Sequence, residues 1–419
     1  MTDLTVLGGG AAGSRAAILA AKAGLSVTMI ECGESGGGAL HESYWPYRKL
    51  LSDAGSQAHD KVVKSAAKET KILSDLHEKT LSSLGVDVIN GAGRIDGLKG
   101  RNYKIEVNGV RIETPRVLIA TGSMPFIPDI PGIDTSISNG FVITPKEVLY
   151  SKLPRRVVVI GGNIRALQVA AWFAANRAAV ILTLPGNSVA AELDSGVALW
   201  LRHNLRGIEY LEHSDITAIN GQRVKLSTHA GRRSVECDKV VAGAKRAPAA
   251  RGMGLGDIGI VIEDGAVVTD QRCRTHLPDV YAAGDVNMRT LSAYGAFAEA
   301  EVCVANILGK HETVAYRAIP RIFNCGAAGA SVGETEESAR AIGLKPICAE
   351  AKILGRAEEG FVKLVTDGGK RLIGAHLCGW GGEEIIWELA AMMDSDINIS
   401  GLRPGSVIAE TAVRAILNL

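Results

Sequence analysis

The chain has 419 residues, 47% of them apolar, which is enough for several packed domains and too long for one core. Lysine plus arginine (46) nearly balances aspartate plus glutamate (45), so no broad field favours nucleic acid or an anionic membrane, and neither is expected as a partner. The seven cysteines are scattered, with no Cys-x-x-Cys and no histidine at metal-ligand spacing; all read as reduced and no metal site is expected.

In chain order the pattern divides into four segments. Residues 1–150 open with an apolar strand, a glycine-rich turn, an alanine-rich helix and a second strand over 26–30, then run through a polar helical stretch over 48–84 to a strand at 116–120. Residues 151–245 restart with an apolar strand over 157–160 that turns into a helix, so the two segments read as one supersecondary unit used twice. Residues 246–310 carry a strand over 280–285 and another alanine-rich helix, and residues 311–419 alternate short strands with helices, such as a strand over 361–366 and a helix over 383–393. The first strand follows without a signal-type apolar region and no run reaches transmembrane length, so a cytoplasmic location is expected.

The first turn is a dinucleotide fingerprint. Gly8 permits the tight turn, Gly10 lets the backbone approach a pyrophosphate at the helix N-terminus beside Ala11 and Ala12, and Gly13 allows helix and strand to pack closely. Glu31, ending the second strand, is placed to accept hydrogen bonds from a ribose. Two later stretches point to FAD rather than NAD here. Ala120, Thr121 and Gly122, within a run ending at Pro131-Gly132, resemble the Ala-Thr-Gly crossover of two-dinucleotide flavoproteins. Val280-Tyr-Ala-Ala-Gly284-Asp285 resembles their second FAD motif, whose aspartate binds the ribityl chain.

With these motifs in this order, the whole chain resembles the flavin disulfide reductases of the dihydrolipoamide dehydrogenase, glutathione reductase and mercuric reductase group. The resemblance continues through Val332-Gly-Glu-Thr-Glu-Glu-Ser-Ala-Arg340, Gly360-Phe-Val-Lys-Leu-Val-Thr-Asp367 and Leu372-Ile-Gly-Ala-His376. It implies an α/β chain with two Rossmann-like domains, one for FAD and one NAD(P)-like, plus a C-terminal α+β dimerisation domain. The segments then become an FAD-binding domain in two parts (1–150 and 246–310), a degenerate NAD(P)-binding-like domain (151–245) and the interface domain of a homodimer (311–419).

The departures from that family carry the functional reading. Gly36, Gly37, Leu40 and Pro46 match the family's redox loop without gaps, and in this register the two redox cysteines are Ala39 and Tyr44. A methyl group and a phenol cannot form the disulfide that relays electrons in family catalysis. Cys32 lies nearby but reads as packing. The family's C-terminal His-Pro-x-x-x-Glu motif falls on residues 405–410, with Glu410 kept and Gly405 in place of the catalytic histidine.

In the second unit Asn163 and Ala166 replace two fingerprint glycines, Leu184 and Pro185 stand where an acid would bind ribose, and Gln168 replaces a glutamate. Losing a charge-assisted ribose hydrogen bond costs about 1.5–3 kcal/mol. NAD(P)H binding is therefore weakened, and the unit reads as a structural domain with a vestigial pocket.

Tyr44 and Arg48 remain as candidate catalytic residues. Tyr44, expected just before a helix begun by Pro46, could donate a hydrogen bond, relay an electron or lie over the flavin as an apolar lid. Arg48 is either a fixed positive charge favouring anionic reduced flavin or a solvated first-turn residue. His41, Trp45 and Tyr47 could line a substrate pocket, with packing or exposure the simpler reading. Cys378, Trp380 and Trp387 read as core of the last segment. The function expected is an FAD-dependent oxidoreductase without a redox disulfide, meeting a small-molecule substrate or electron-carrier protein directly at the flavin. The alternatives are an NAD(P)H oxidase or diaphorase, and a non-catalytic, FAD-containing dimeric scaffold or sensor.

Overall fold

A computed structural model describes residues 2–53, 59–354, 359–368, 371–379 and 382–396. The expected alternation of apolar strand and alanine-rich helix gives two five-stranded parallel sheets. In the first, Leu4–Leu7 is central, flanked by Val27–Glu31 and then Asp87–Asn90 on one side, and by Val117–Ile119 and Val280–Ala282 on the other. In the second, Arg156–Ile160 is central, with Ala179–Thr183 and Ile208–Leu211 on one side and Lys239–Val241 and Val142–Ile143 on the other. Four strands follow the same relative order in both sheets, and the fifth differs: the edge strand Val280–Ala282 comes last in the chain in the first sheet, whereas Val142–Ile143 comes first in the second. Their runs of Val, Ile and Leu are buried on both faces, as parallel strands covered by helices require.

Chain contacts group the molecule into two compact units. The first contains residues 1–46, 64–125 and 246–314 and is packed around Leu7, Ile30, Ile105, Ile119, Val280 and Val286. The second contains residues 47–63, 126–245 and 315–419, and so includes both the second parallel sheet and the C-terminal region. The 126–150 stretch goes with this second unit, because Val142–Ile143 is the outermost strand of the second parallel sheet.

The C-terminal region is an antiparallel five-stranded sheet in the order Arg321–Asn324, Ala328–Gly333, Leu372–Cys378, Glu359–Thr366, Ile347–Leu354. The helix Gly382–Asp394 lays Ile386, Leu389 and Met393 on Val332, Val362, Leu364 and Leu377. Cys378 is fully buried here as expected, whereas Trp387 is 43% exposed, on the helix face away from this core. Trp380, Gly405 and Glu410 lie outside the described residues. No helix among the described residues is long and apolar enough to cross a membrane.

The polar stretch after the redox-loop position forms the helices Tyr44–Asp53 and His59–Ser83. Tyr44 is the first residue of its helix, not a residue before it. Pro46 falls within the first turn, where its missing N–H has no helical partner to lose.

Candidate functional site

The first unit brings the three expected FAD segments together around one helix N-terminus. Helix Ala11–Lys22 starts at Gly10, and no side chain among the described residues caps it, nor does its first turn carry an acid. Its first N–H groups are therefore free of side-chain competition, as a bound pyrophosphate requires. A Cβ on Gly13 would overlap the carbonyl oxygen of Gly8, and one on Gly8 would overlap that of Ala120, so the loop closes only with glycine at both positions. Gly284 is packed against Ala12 so closely that a Cβ on it would lie 3.2 Å from the Ala12 Cβ, which sets the Asp285 segment beside the same helix.

Glu31 ends its strand as expected and accepts hydrogen bonds from the Gly9 N–H and, at 2.6 Å, from the Gly33 N–H. A carboxylate has about four lone-pair sites, so two backbone bonds orient it and leave acceptor capacity for a ribose. Thr121 Oγ1 donates to the Ala249 carbonyl at 2.7 Å, which holds the turn through Gly122.

Sequence reasoning missed the network around Asp285. Ser123 Oγ donates to Asp285 Oδ2 at 2.6 Å, and Arg246 Nε donates to Ser123 Oγ at 3.0 Å. Arg246 also donates to the Ser123 carbonyl and pairs with Glu42 Oε2 at 3.1 Å. The Arg246 side chain is only 12% exposed, so this pair is worth more than a surface contact. Glu299 is fully buried and accepts from the Gly284 N–H at 2.6 Å and from Asn287 Nδ2 at 2.9 Å, fixing the turn that presents Asp285. An acid among Ala296, Ala300 and Cys303 on the buried helix face was its sequence signal.

The redox-loop position follows the same loop closely. A Cβ on Gly37 would come within 2.6 Å of the Gly10 Cα, so residues 36–37 lie against the first glycine loop. Tyr44 is half-buried; its hydroxyl is 3.1 Å from that of Tyr294, and the two rings meet edge to face at 6.1 Å between centroids. His41 is buried, with Nε2 2.8 Å from the Ser35 carbonyl and Nδ1 3.6 Å from Glu34, and holds a turn. Trp45 is partly buried, with no hydrogen-bond partner for its Nε1 among the described residues. Cys32 is exposed, against the expectation of packing, because the chain turns outward directly after Glu31.

Two of the remaining candidates lie in the second unit. Tyr47 is a core residue, 2% exposed, with its hydroxyl donating to the Pro145 carbonyl at 2.8 Å; burial pushes its pKa well up. Arg48 pairs with Glu383 at 2.9 Å, a carboxyl that burial raises above its usual range and the guanidinium draws back. An intramolecular acid is thus the partner the structure gives to that charge.

The second glycine loop is arranged differently. Asn163 is the N-cap of helix Ile164–Ala175; its Oδ1 accepts from the Ala166 N–H at 2.9 Å and its Nδ2 donates to the Ala244 carbonyl at 3.2 Å. The Ile164 N–H is taken by Glu192 Oε1 at 2.6 Å. Leu184 is fully buried against Gly162, and Gln168 Nε2 donates to the Asn324 carbonyl at 3.0 Å. The residues around the first loop fit a dinucleotide; those around the second do not.

Comparison with known proteins agrees with this architecture. The pyridine nucleotide-disulphide oxidoreductase family matches residues 2–300, and its dimerisation domain matches residues 319–404. The chain is 29% identical to a dihydrolipoyl dehydrogenase of Chlorobaculum tepidum, over 96% of this chain and 92% of that one. It is 27% identical to a glutathione reductase of Burkholderia cepacia, over 93% and 91%. The crystal structure of LpdA from Mycobacterium tuberculosis superimposes with a TM-score of 0.88 at 21% identity, covering 100% of this chain and 99% of that one. FAD is the family's cofactor, and NAD(P) is also used within it. By sequence, fold and domain order, the chain belongs to the pyridine nucleotide-disulphide oxidoreductase family.

Proposed function

We propose that this protein is an FAD-dependent oxidoreductase that works without a redox disulfide, exchanging electrons directly between the flavin and a small molecule or an electron-carrier protein. The observation that carries the reading is the redox loop itself. It keeps its glycines against the Gly10 loop but presents Ala39 and Tyr44 in place of a thiol pair, with the Tyr44 phenol bonded to Tyr294. All seven cysteines are free thiols; Cys237, Cys303, Cys325, Cys348 and Cys378 are held above their usual range chiefly by burial, so none of these five is a ready thiolate nucleophile.

Bound FAD would supply one- and two-electron transfer, with its direction and partner set by the surrounding protein. In this reading the N–H groups of Ala11, Ala12 and Gly13, at the uncapped helix end, hold the pyrophosphate. Glu31 holds the adenosine ribose and Asp285 the ribityl chain, kept in place by Ser123, Arg246 and Glu42. Tyr44 and Tyr294 close the loop with a hydroxyl pair in which either oxygen can donate, so a proton can be held there without a thiol. Residues 311–419 form the interface of a homodimer in this reading, in keeping with the dimerisation-domain match.

The test is anaerobic photoreduction of the purified flavoprotein, followed by mixing with a panel of acceptors that includes quinones, oxygen and small carrier proteins. Reoxidation faster than that of free flavin with at least one acceptor is expected. A flavin that no acceptor reoxidises faster than free FAD would point instead to a non-catalytic scaffold.

A further inference from the structure

We propose that the second dinucleotide fold is sealed by its own chain: residues 184–194 form a strap that takes the place of a dinucleotide, and Glu192 stands in for its pyrophosphate. In folds of this kind a pyrophosphate is held by the N–H groups at the start of the first helix, over a loop whose glycines let it approach. Here each of those features is occupied. The first-turn N–H of Ile164 is bonded to the Glu192 carboxylate at 2.6 Å, and the third, of Ala166, to the Asn163 side chain at 2.9 Å. A dinucleotide would have to displace both and bring a second negative group to a site already holding one.

Glu192 is exposed, and by itself it could swing away. The strap's backbone does not share that freedom. Ala190 N–H donates to the Gly162 carbonyl at 2.6 Å, which ties the strap onto the glycine loop, and a Cβ on Gly162 would meet Leu184 Cδ2 at 2.8 Å and the Ser188 carbonyl oxygen at 3.4 Å. Leu184, Val189 and Ala190 are no more than 1% exposed. At the strap's start, Ser214 N–H donates to the Leu184 carbonyl and His213 N–H to the Gly186 carbonyl, at 2.8 and 2.9 Å. At its end, Asp194 is fully buried, caps the helix Ser195–Asn204 through the Gly196 N–H, and pairs with the buried Lys363 at 3.2 Å. The strap is therefore held at its start, middle and end by bonds that do not involve Glu192.

It follows that electrons reach this protein from a donor that does not dock as a pyridine dinucleotide in this domain. The seal belongs to the second unit alone and holds whether or not the flavin is catalytic. It is tested by isothermal titration of NADH and of inorganic pyrophosphate into FAD-loaded protein, with flavin absorbance recorded separately as a check on the first unit. Wild type should show no saturable binding below the millimolar range, and Glu192→Ala combined with Asn163→Gly, which removes both side-chain acceptors, should bind pyrophosphate at least about tenfold more tightly. Amide exchange over residues 163–167 gives a second readout that needs no variant: this helix start should be protected in the unliganded protein. Micromolar binding of NADH or NADPH by wild type, no gain of pyrophosphate affinity in the double variant, or free exchange over 163–167 would each overturn the proposal.

Discussion

Two helices of 12 residues each, Ala11–Lys22 and Ile164–Ala175, leave the central strands of two parallel sheets that share the order of four of their five strands, and each begins at a glycine loop. At the first, no side chain among the described residues caps the N-terminus, and the buried Glu299 and the partly buried Arg246 serve to position the loops around it. At the second, two side chains take first-turn N–H groups, although in both the segment after the second strand is tied to the glycine loop, by Gly36 N–H to the Gly9 carbonyl and by Ala190 N–H to the Gly162 carbonyl. The same fold thus gives an open anion site or a closed one, according to a few residues at the helix start and after the second strand. Fold similarity alone does not carry a ligand from one copy to the other.

The largest effect expected is in the first loop. Gly13→Val would drive a side chain into the Gly8 carbonyl, backbone against which nothing can yield, and should abolish flavin loading as measured by the FAD-to-protein absorbance ratio. Gly162→Ala meets the end of the Leu184 side chain instead and should leave flavin content unchanged. Equal loss of flavin in both would break the distinction drawn between the loops.

Next is the anchor of the strap. Lys363→Met leaves Asp194 buried without its cation, which should lower unfolding free energy by about 3–5 kcal/mol in urea denaturation. A change under about 1 kcal/mol, the size of an exposed pair, would show that the anchor is not buried in solution.

Within the first unit, Arg246→Ala releases Ser123 and Glu42 together and should weaken FAD binding roughly tenfold, about 1.4 kcal/mol, by fluorescence titration of the apoprotein. The same change should not alter the urea signature of the second unit.

Acidity should act on the second unit through His376, which is almost fully buried with its Nε2 3.0 Å from the Glu334 carbonyl and whose pKa is lowered by burial. The unfolded chain takes up a proton below about 6.5 that the native chain resists, so stability should fall as pH drops below that value. His376→Gln should flatten that part of the thermal-unfolding profile. The smallest effect is expected from Tyr44→Phe, which removes one hydroxyl pair and should cost about 0.5–1.5 kcal/mol with flavin content retained.

The strands, the repeated unit and the three FAD segments were legible in the sequence because each rests on local signals: runs of β-branched residues, glycines at fixed spacing, and an acid at a strand end. Arg246, Ser123 and Glu42 were not, since their meaning lies in contacts between positions up to 204 residues apart. The seal on the second loop was half legible. Asn163 and Leu184 announced a damaged site, but Glu192 sits in an ordinary polar loop, and only the fold brings it to the N–H of Ile164. Arg48 shows the converse, a charge conspicuous beside the redox-loop position that is paired with Glu383 in its own unit. Cys32, read as packing at a strand end, and Trp387, read as core of the last segment, are both exposed, because neither position along the chain says which face of a turn or helix is covered.

The central claim is that the flavin works without a dithiol, and anaerobic reductive titration with dithionite tests it most directly. A flavin with an adjacent redox disulfide takes up four electrons per FAD, two on each centre, whereas a flavin alone takes up two. The account predicts full bleaching at about two electrons per FAD, with no further uptake and the same number of free thiols before and after. Uptake of about four electrons, with two new thiols appearing on reduction, would contradict it.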